Sequence, residues 1–183
     1  MARSVATDFL HSMRFQVVTT DGARPSLTPA GRPDAGFTQV TTPEATAEAV
    51  EYKEGTMIYV RKYPGSPTIA DISMMRGVAR RDSSFWDWMR VVLEGSGEYR
   101  QDLDIKHFHR EDALTRDDGG GAAGAGANLT QINSENPARI YHVREGFITR
   151  HKSAGDLDAT ASEISIMEMD VAYEHFEIEE LAA

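Results

Sequence analysis

Residues 117–129 read DDGGGAAGAGANL, and Gly119, Gly121 and Gly124 fit the spacing G-x-G-x-x-G. That spacing lets a backbone turn approach a pyrophosphate closely and rest it on a helix N-terminus. The chemistry needs context: a buried strand must lead directly into the turn and a helix must open from it. Here the charged stretch HREDALTRDD precedes the glycines and the polar stretch ANLTQINSENPARI follows them. The run therefore reads as a flexible Gly/Ala loop joining two strands, an insertion spanning residues 111–137. A second chemical candidate is HFH at 107–109, where His107 and His109 project from one face of a strand. Zinc sites want three or four convergent ligands, and His107 falls on the apolar phase of its strand, which suits a core or interface histidine better. His142, His151 and His175 are scattered, and no nucleophile elbow is visible. The expectation is a chain with no catalytic residue, no metal ligand and no cofactor-binding residue. The alternative from another class is a small metal- or nucleotide-dependent enzyme built on His107/His109 or on the glycine run.

Composition sets the frame that must position such residues. The chain has 183 residues, 40% of them hydrophobic and 26% charged, which suits one domain with a real core. There is no cysteine, so disulfides, thiolate metal sites and cysteine nucleophiles are excluded. No apolar run approaches a membrane span, and MARSVATDFLHSMRF lacks the pattern of a secretory signal. The sequence thus points to a protein without a membrane anchor that stays in the cytoplasm or leaves it by a route that needs no signal. The net charge of −10 is uneven. From Ser153 onward the chain carries Asp156, Asp158, Glu163, Glu168, Asp170, Glu174, Glu177, Glu179 and Glu180 and no lysine or arginine. Such a segment repels phosphate and argues against a nucleic-acid-binding surface there.

Along the chain, MRFQVVTT (13–20) has strand composition and ends in the turn signal Asp21-Gly22. Residues 36–55 offer two β-prone pieces broken at Pro43, MIYVRKYPG (57–65) a strand ended by Pro64-Gly65, and TIADISMMRG (68–77) another. RRDSSFWDWMRVVLEGSG (80–97) is the one helix: Phe85, Trp88, Met89 and Val92 share a face, Asp82, Ser83 and Ser84 are all capping residues, and Gly95 is placed to end it. In EYRQDLDIKHF (98–108), Tyr99, Leu103 and Ile105 point one way and Arg100, Asp102, Asp104 and Lys106 the other. ARIYHVREGFITRH (138–151) supplies one or two strands around Gly146. In 162–180 the apolar phase moves from Ile164 and Ile166 to Met167, Met169, Val171 and Tyr173, the mark of a bulge or bend. The sum is roughly seven strands and one helix, a mainly β member of the α+β class rather than an alternating βαβ chain.

Five ordered segments add a resemblance: AGFTQVTT (35–42), EAVEYKEGT (48–56), VRKYPG (60–65), MMRGVARRDSSFWDWMRVVLEG (74–95) and ISIMEMDVAYEHFE (164–177). Together they resemble the tube proteins of contractile phage tails and of phage-tail-like contractile injection systems. The resemblance covers nearly the whole chain and departs from the family pattern at the 111–137 insertion. It implies a single tail-tube domain over residues 1–183, with two packed antiparallel sheets in a barrel-like sandwich, a flanking helix near 83–94 and assembly as a hexameric ring. It further implies rings that stack into a hollow tube, pushed through a target envelope when a surrounding sheath contracts. The implied partners are further copies of the chain, the sheath protein, baseplate or spike proteins and a tail terminator. Cargo or DNA would pass through the lumen without specific binding. A ring nearest the baseplate, initiating the tube, is the alternative within the family. Residues 42–65 resemble the family's extended arm, and Tyr52, Lys53, Glu54, Arg61 and Lys62 become candidates for ring stacking. Asp102, Asp104, Glu168 and Asp170 become candidates for a lumen-facing wall.

Overall fold

The computed structural model of the chain describes residues 10, 12–20, 36–56, 58–78, 82–95, 97–108, 137–155, 157, 160, 162 and 164–180. Among these described residues, nine strands and one helix follow in the order β1 (Phe15–Thr19), β2 (Phe37–Val40), β3 (Glu44–Tyr52), β4 (Arg61–Ala70), β5 (Ile72–Gly77), α1 (Ser84–Leu93), β6 (Gln101–His107), β7 (Arg139–Lys152), β8 (Ile166–Ala172) and β9 (His175–Glu180). All strand pairs are antiparallel. The expected mainly β architecture with a flanking helix is present. The two sheets, however, do not close into a barrel; they are joined through one shared strand.

That strand is β7. Its first half pairs with β6 on one side and β9 on the other, and β1 extends the sheet beyond β6. Its second half pairs with β8, which continues to β5 and β2. The change of sheet falls at Glu145 and Gly146. Glu145 has φ of 56°, the left-handed region, and its N–H is held by Asp102 Oδ1 at 2.9 Å. A Cβ on Gly146 would lie 3.1 Å from the Gln101 carbonyl oxygen and 3.2 Å from Val171 Cγ1, so glycine allows a close approach at the bend that a larger residue would crowd.

The partner ribbon bends at the same level. Arg144 pairs with His175 and Phe147 with Ala172, which places the break in the second ribbon strand at Tyr173–Glu174. The alternating pattern suggested a phase change at Ile166–Met167. The structure moves it: Met167, Met169, Val171 and Tyr173 stay buried in one phase, and beyond the bend Phe176 packs against the core. Ile164 and Ile166 are exposed instead. They mimic alternation because they flank the strand end, not because they share its inner face.

Between the sheets lies one core. Val17, Leu103, Ile105 and Val143 come from the first sheet, and Ile72, Met74, Ile148, Met169 and Val171 from the second. Helix α1 adds Phe85 and Trp88. Trp88 satisfies its indole N–H by donating to the Tyr99 carbonyl at 2.8 Å, so its full burial leaves no polar group unpaired. Truncating either aromatic to alanine typically costs about 3–5 kcal/mol. Ser83 occupies the helix N-cap, but its hydroxyl donates to Asp87 at 2.6 Å, and the carboxylate of Asp82 receives the Ser84 N–H instead.

One expected boundary is overturned. β4 does not stop at Pro64-Gly65 but runs on to Ala70 through Pro64 and Pro67. In a ribbon of only two strands each chain is an edge, so a proline whose missing N–H faces outward removes no ladder bond. Gly65 beside it keeps the ribbon close, since a Cβ there would sit 3.0 Å from the Glu48 carbonyl oxygen.

Candidate functional site

The surface that departs most from an ordinary sandwich is the ribbon of β3 and β4. Val40 pairs with Met74 in the second sheet, and Glu44 pairs with Ala70 in the ribbon, four residues on from Val40 and four residues back from Met74. Thr41 and Ser73 bridge the junction through backbone and side-chain bonds of 2.7–3.4 Å. The ribbon is therefore the free-standing end of the β2–β5 pair. Every residue of β3 is exposed. At about 3.3 Å per residue, its length of nine residues projects about 30 Å from the body.

Cross-strand partners share a face, which makes this arm two-sided. Val50 stands opposite Tyr63, and Tyr52 opposite Arg61. On the other face Glu51 and Lys62 form an ion pair of 3.3 Å. The tip adds Ile58, Tyr59 and Val60, with exposures of 87%, 81% and 44%. Isolated two-stranded hairpins are marginal in water, and this one is exposed along every residue of β3. All five sequence candidates for stacking, Tyr52, Lys53, Glu54, Arg61 and Lys62, come together at its outer end. The sequence reading missed the apolar tip, taking residues 57–60 as the start of a strand.

The candidate wall acids fall on two surfaces. Asp102 and Asp104 stand on the outer face of the first sheet, Glu168 and Asp170 on the outer face of the second. Each is partnered. Asp102 lies 3.3 Å from Arg144, and Asp104 lies 2.8 Å from His142 and 3.7 Å from Arg144. Arg150 reaches both Asp170, at 2.8 Å, and Glu168, while Lys152 lies 4.0 Å from Glu168. Both faces are charge-compensated rather than plainly acidic. His142 also contacts Glu179 at 3.1 Å. Burial by itself lowers the pKa of this imidazole, but hydrogen bonds to Asp104 and Glu179 outweigh it, and the net shift is upward.

A further polar cluster escaped the sequence reading. Arg76 is 1% exposed, stacks over Phe85 at 4.0 Å, and donates to Asp82 at 2.6 Å and to the Ser84 hydroxyl. Burial pushes the guanidinium below its ordinary pKa, and Asp82 opposes that shift. This cluster clamps the start of α1 onto β5. Its signal in the sequence was an arginine in the apolar phase of ISMMRG.

The glycine run and His109 lie outside the described residues, as does the 111–137 insertion up to residue 136. Among the described residues no group of three or more histidines or acids could hold a metal. No helix among them is long and apolar enough to cross a membrane.

Two bent sheets sharing a strand, a flanking helix and a projecting ribbon make up the fold. Solved structures with this fold include a chain of the anti-feeding prophage baseplate, with a TM-score of 0.69 at 15% identity over 95% of this chain and 97% of that one. A chain of the sheath-tube complex of the extracellular contractile injection system PVC matches equally, over 97% and 95%. An Hcp protein aligns with a TM-score of 0.51 at 12% identity over 92% of each chain. No curated protein sequence matches. The profile of the family described as T4-like virus tail tube protein gp19 matches residues 11–177, and the chain belongs to that family.

Proposed function

We propose that this protein is the main subunit of the inner tube of a contractile tail or contractile injection system. It works by assembly and not by catalysis, and it ends as part of a phage tail or injection-system particle. The observation that carries the reading is the family match over residues 11–177 on a fold whose arm leaves an apolar face in water. Six copies form a ring, rings stack through the arm residues Tyr52, Lys53, Glu54, Arg61 and Lys62, and the tube serves as the core around which a sheath assembles. The baseplate or spike and a terminator close its two ends.

The outer faces of the two sheets turn away from a shared core, so one of them lines the channel. The candidates are the Asp102/Asp104 face and the Glu168/Asp170 face. Compensated charge on either face suits passage of DNA or cargo without specific binding. The test is negative-stain electron microscopy of the purified protein across a concentration series. Six-fold rings that stack into open tubes are the expected result. Rings that never stack alone would indicate the baseplate-proximal initiator, and a strictly monomeric sample at high concentration would overturn the reading.

A further inference from the structure

Asp102, Glu145 and Glu174 meet Arg100 at the bend of β7, outside the core. Arg100 stands just before β6. Its guanidinium reaches Glu174, at the break between β8 and β9, and lies 3.6 Å from Glu145, at the break within β7. Beneath it Tyr99 and Phe147 meet edge to face at 6.0 Å, their ring centres 5.7 and 6.0 Å from the guanidinium carbon. From β6, Asp102 holds the Glu145 N–H with one oxygen and Arg144 with the other, at 2.9 and 3.3 Å. The two breaks are also tied to each other, the Glu174 N–H donating to the Arg144 carbonyl at 3.3 Å.

Two observations give this cluster a role other than stability. Arg100, Glu145 and Glu174 are all exposed, and exposed ion pairs contribute little to folding. Glu145 nevertheless keeps a left-handed backbone, with φ of 56°, which a residue other than glycine holds only where its surroundings impose it. Contacts that stabilise little and still impose a strained backbone specify an angle. We propose that the cluster locks the angle between the two sheets and, through it, the number of copies that close a ring. The second half of this inference rests on the tube reading. Among the described residues the first sheet ends on β1 and β9 and the second on β2. Copies that cover one another's edges inherit the angle at which the sheets meet. Closure with six copies needs a turn of about 60° from one to the next, and closure with seven about 51°. A bend left free over such a range would not select one ring.

The absence of native cysteine allows the angle to be read directly. Ile166→Cys and Glu177→Cys place spin labels on either side of the bend, both at exposed positions. In dissociated protomers, double electron–electron resonance is expected to give one narrow distance. Adding Arg100→Gln and Asp102→Ala is expected to broaden that distribution about twofold, with circular dichroism unchanged because the core is untouched. Asp102→Asn keeps an oxygen for the Glu145 N–H and is expected to retain the narrow distance. An unchanged distribution with Arg100→Gln and Asp102→Ala, or loss of the fold, overturns the lock. Electron microscopy of the same unlabelled variants is expected to show rings of mixed diameter or incomplete rings. Uniform rings of wild-type diameter from chains with a broadened distribution overturn the link from angle to copy number. Wild-type protein that forms no rings overturns the tube reading and that link with it, while the distance measurement still decides the lock.

Discussion

Arg76 and Asp82 form an ion pair whose side chains are 2% and 3% exposed. Such pairs contribute little net stability over a well-packed apolar substitute, but removing one partner strands the other charge out of water. Arg76→Met leaves the Asp82 carboxylate without its cation and loosens the start of α1. The expected loss is about 3–5 kcal/mol in urea unfolding of dissociated protomers. Adding Asp82→Asn to Arg76→Met should cost less than the two single changes summed, because the stranded charge is gone. His142 gives a pH signature. Its folded pKa is raised by Asp104 and Glu179, against burial and the nearby Arg144. Its contribution is therefore complete below the unfolded value of about 6.5 and is lost as pH rises through the higher folded value. His142→Gln should lower stability by about 1–2 kcal/mol near pH 5.5 and leave it almost unchanged near pH 8.5. His151 is shifted downward by burial and acts in the opposite sense. The difference between wild type and His142→Gln, followed by thermal unfolding across pH, isolates the His142 effect.

At the scale of elements, the arm and the bent ribbon have different energetics. The β7–β8–β9 ribbon belongs to the core on its inner face, and its bend is fixed by Gly146 and by the Asp102 bond to the Glu145 N–H. The arm contributes nothing to that core: its exposed strands hold each other through ladder bonds and cross-strand contacts such as the 2.7 Å bond between Thr46 and Thr68. Removing Glu54–Thr56 at the tip therefore leaves the body folded and its unfolding midpoint within experimental error of wild type. Rings are expected to form as before, while tube growth stops. Electron microscopy reads both, and tubes of normal length from the shortened chain would remove the arm from the stacking contact.

For the whole molecule, the sheet edges matter most. Among the described residues the first sheet ends on β1 and β9, and the β2–β5 side of the second sheet continues into a two-stranded ribbon. Exposed strand edges invite pairing with other chains, and a closed ring of copies is one way to cover them. That is why the electron-microscopy outcome bears on the fold as well as on function: a protein that stayed monomeric at high concentration would be keeping these edges uncovered. The outer faces carry paired charges, which keep a surface wet while leaving little net potential over it.

The sequence by itself determined the elements whose signal is local. Helix α1 was legible because Phe85, Trp88, Met89 and Val92 repeat on one face. β6 was legible because Leu103 and Ile105 alternate with Asp102 and Asp104. The break at Pro43 and the outer arm residues were legible from turn chemistry and from the ordered family segments. Only the tertiary structure decided the features that depend on what lies opposite. Whether Pro64 ends a strand depends on the ribbon having no third strand among the described residues. Where the 162–180 phase breaks depends on β7 bending at Gly146. That Arg76 is buried depends on Asp82 and Phe85 arriving from the next element. That the four acids occupy two faces, each beside its own cation, depends on β7 serving both sheets. Periodicity reports which side of a strand is apolar. It does not report which strand becomes the neighbour, and the neighbour fixes edges, bends and ion pairs.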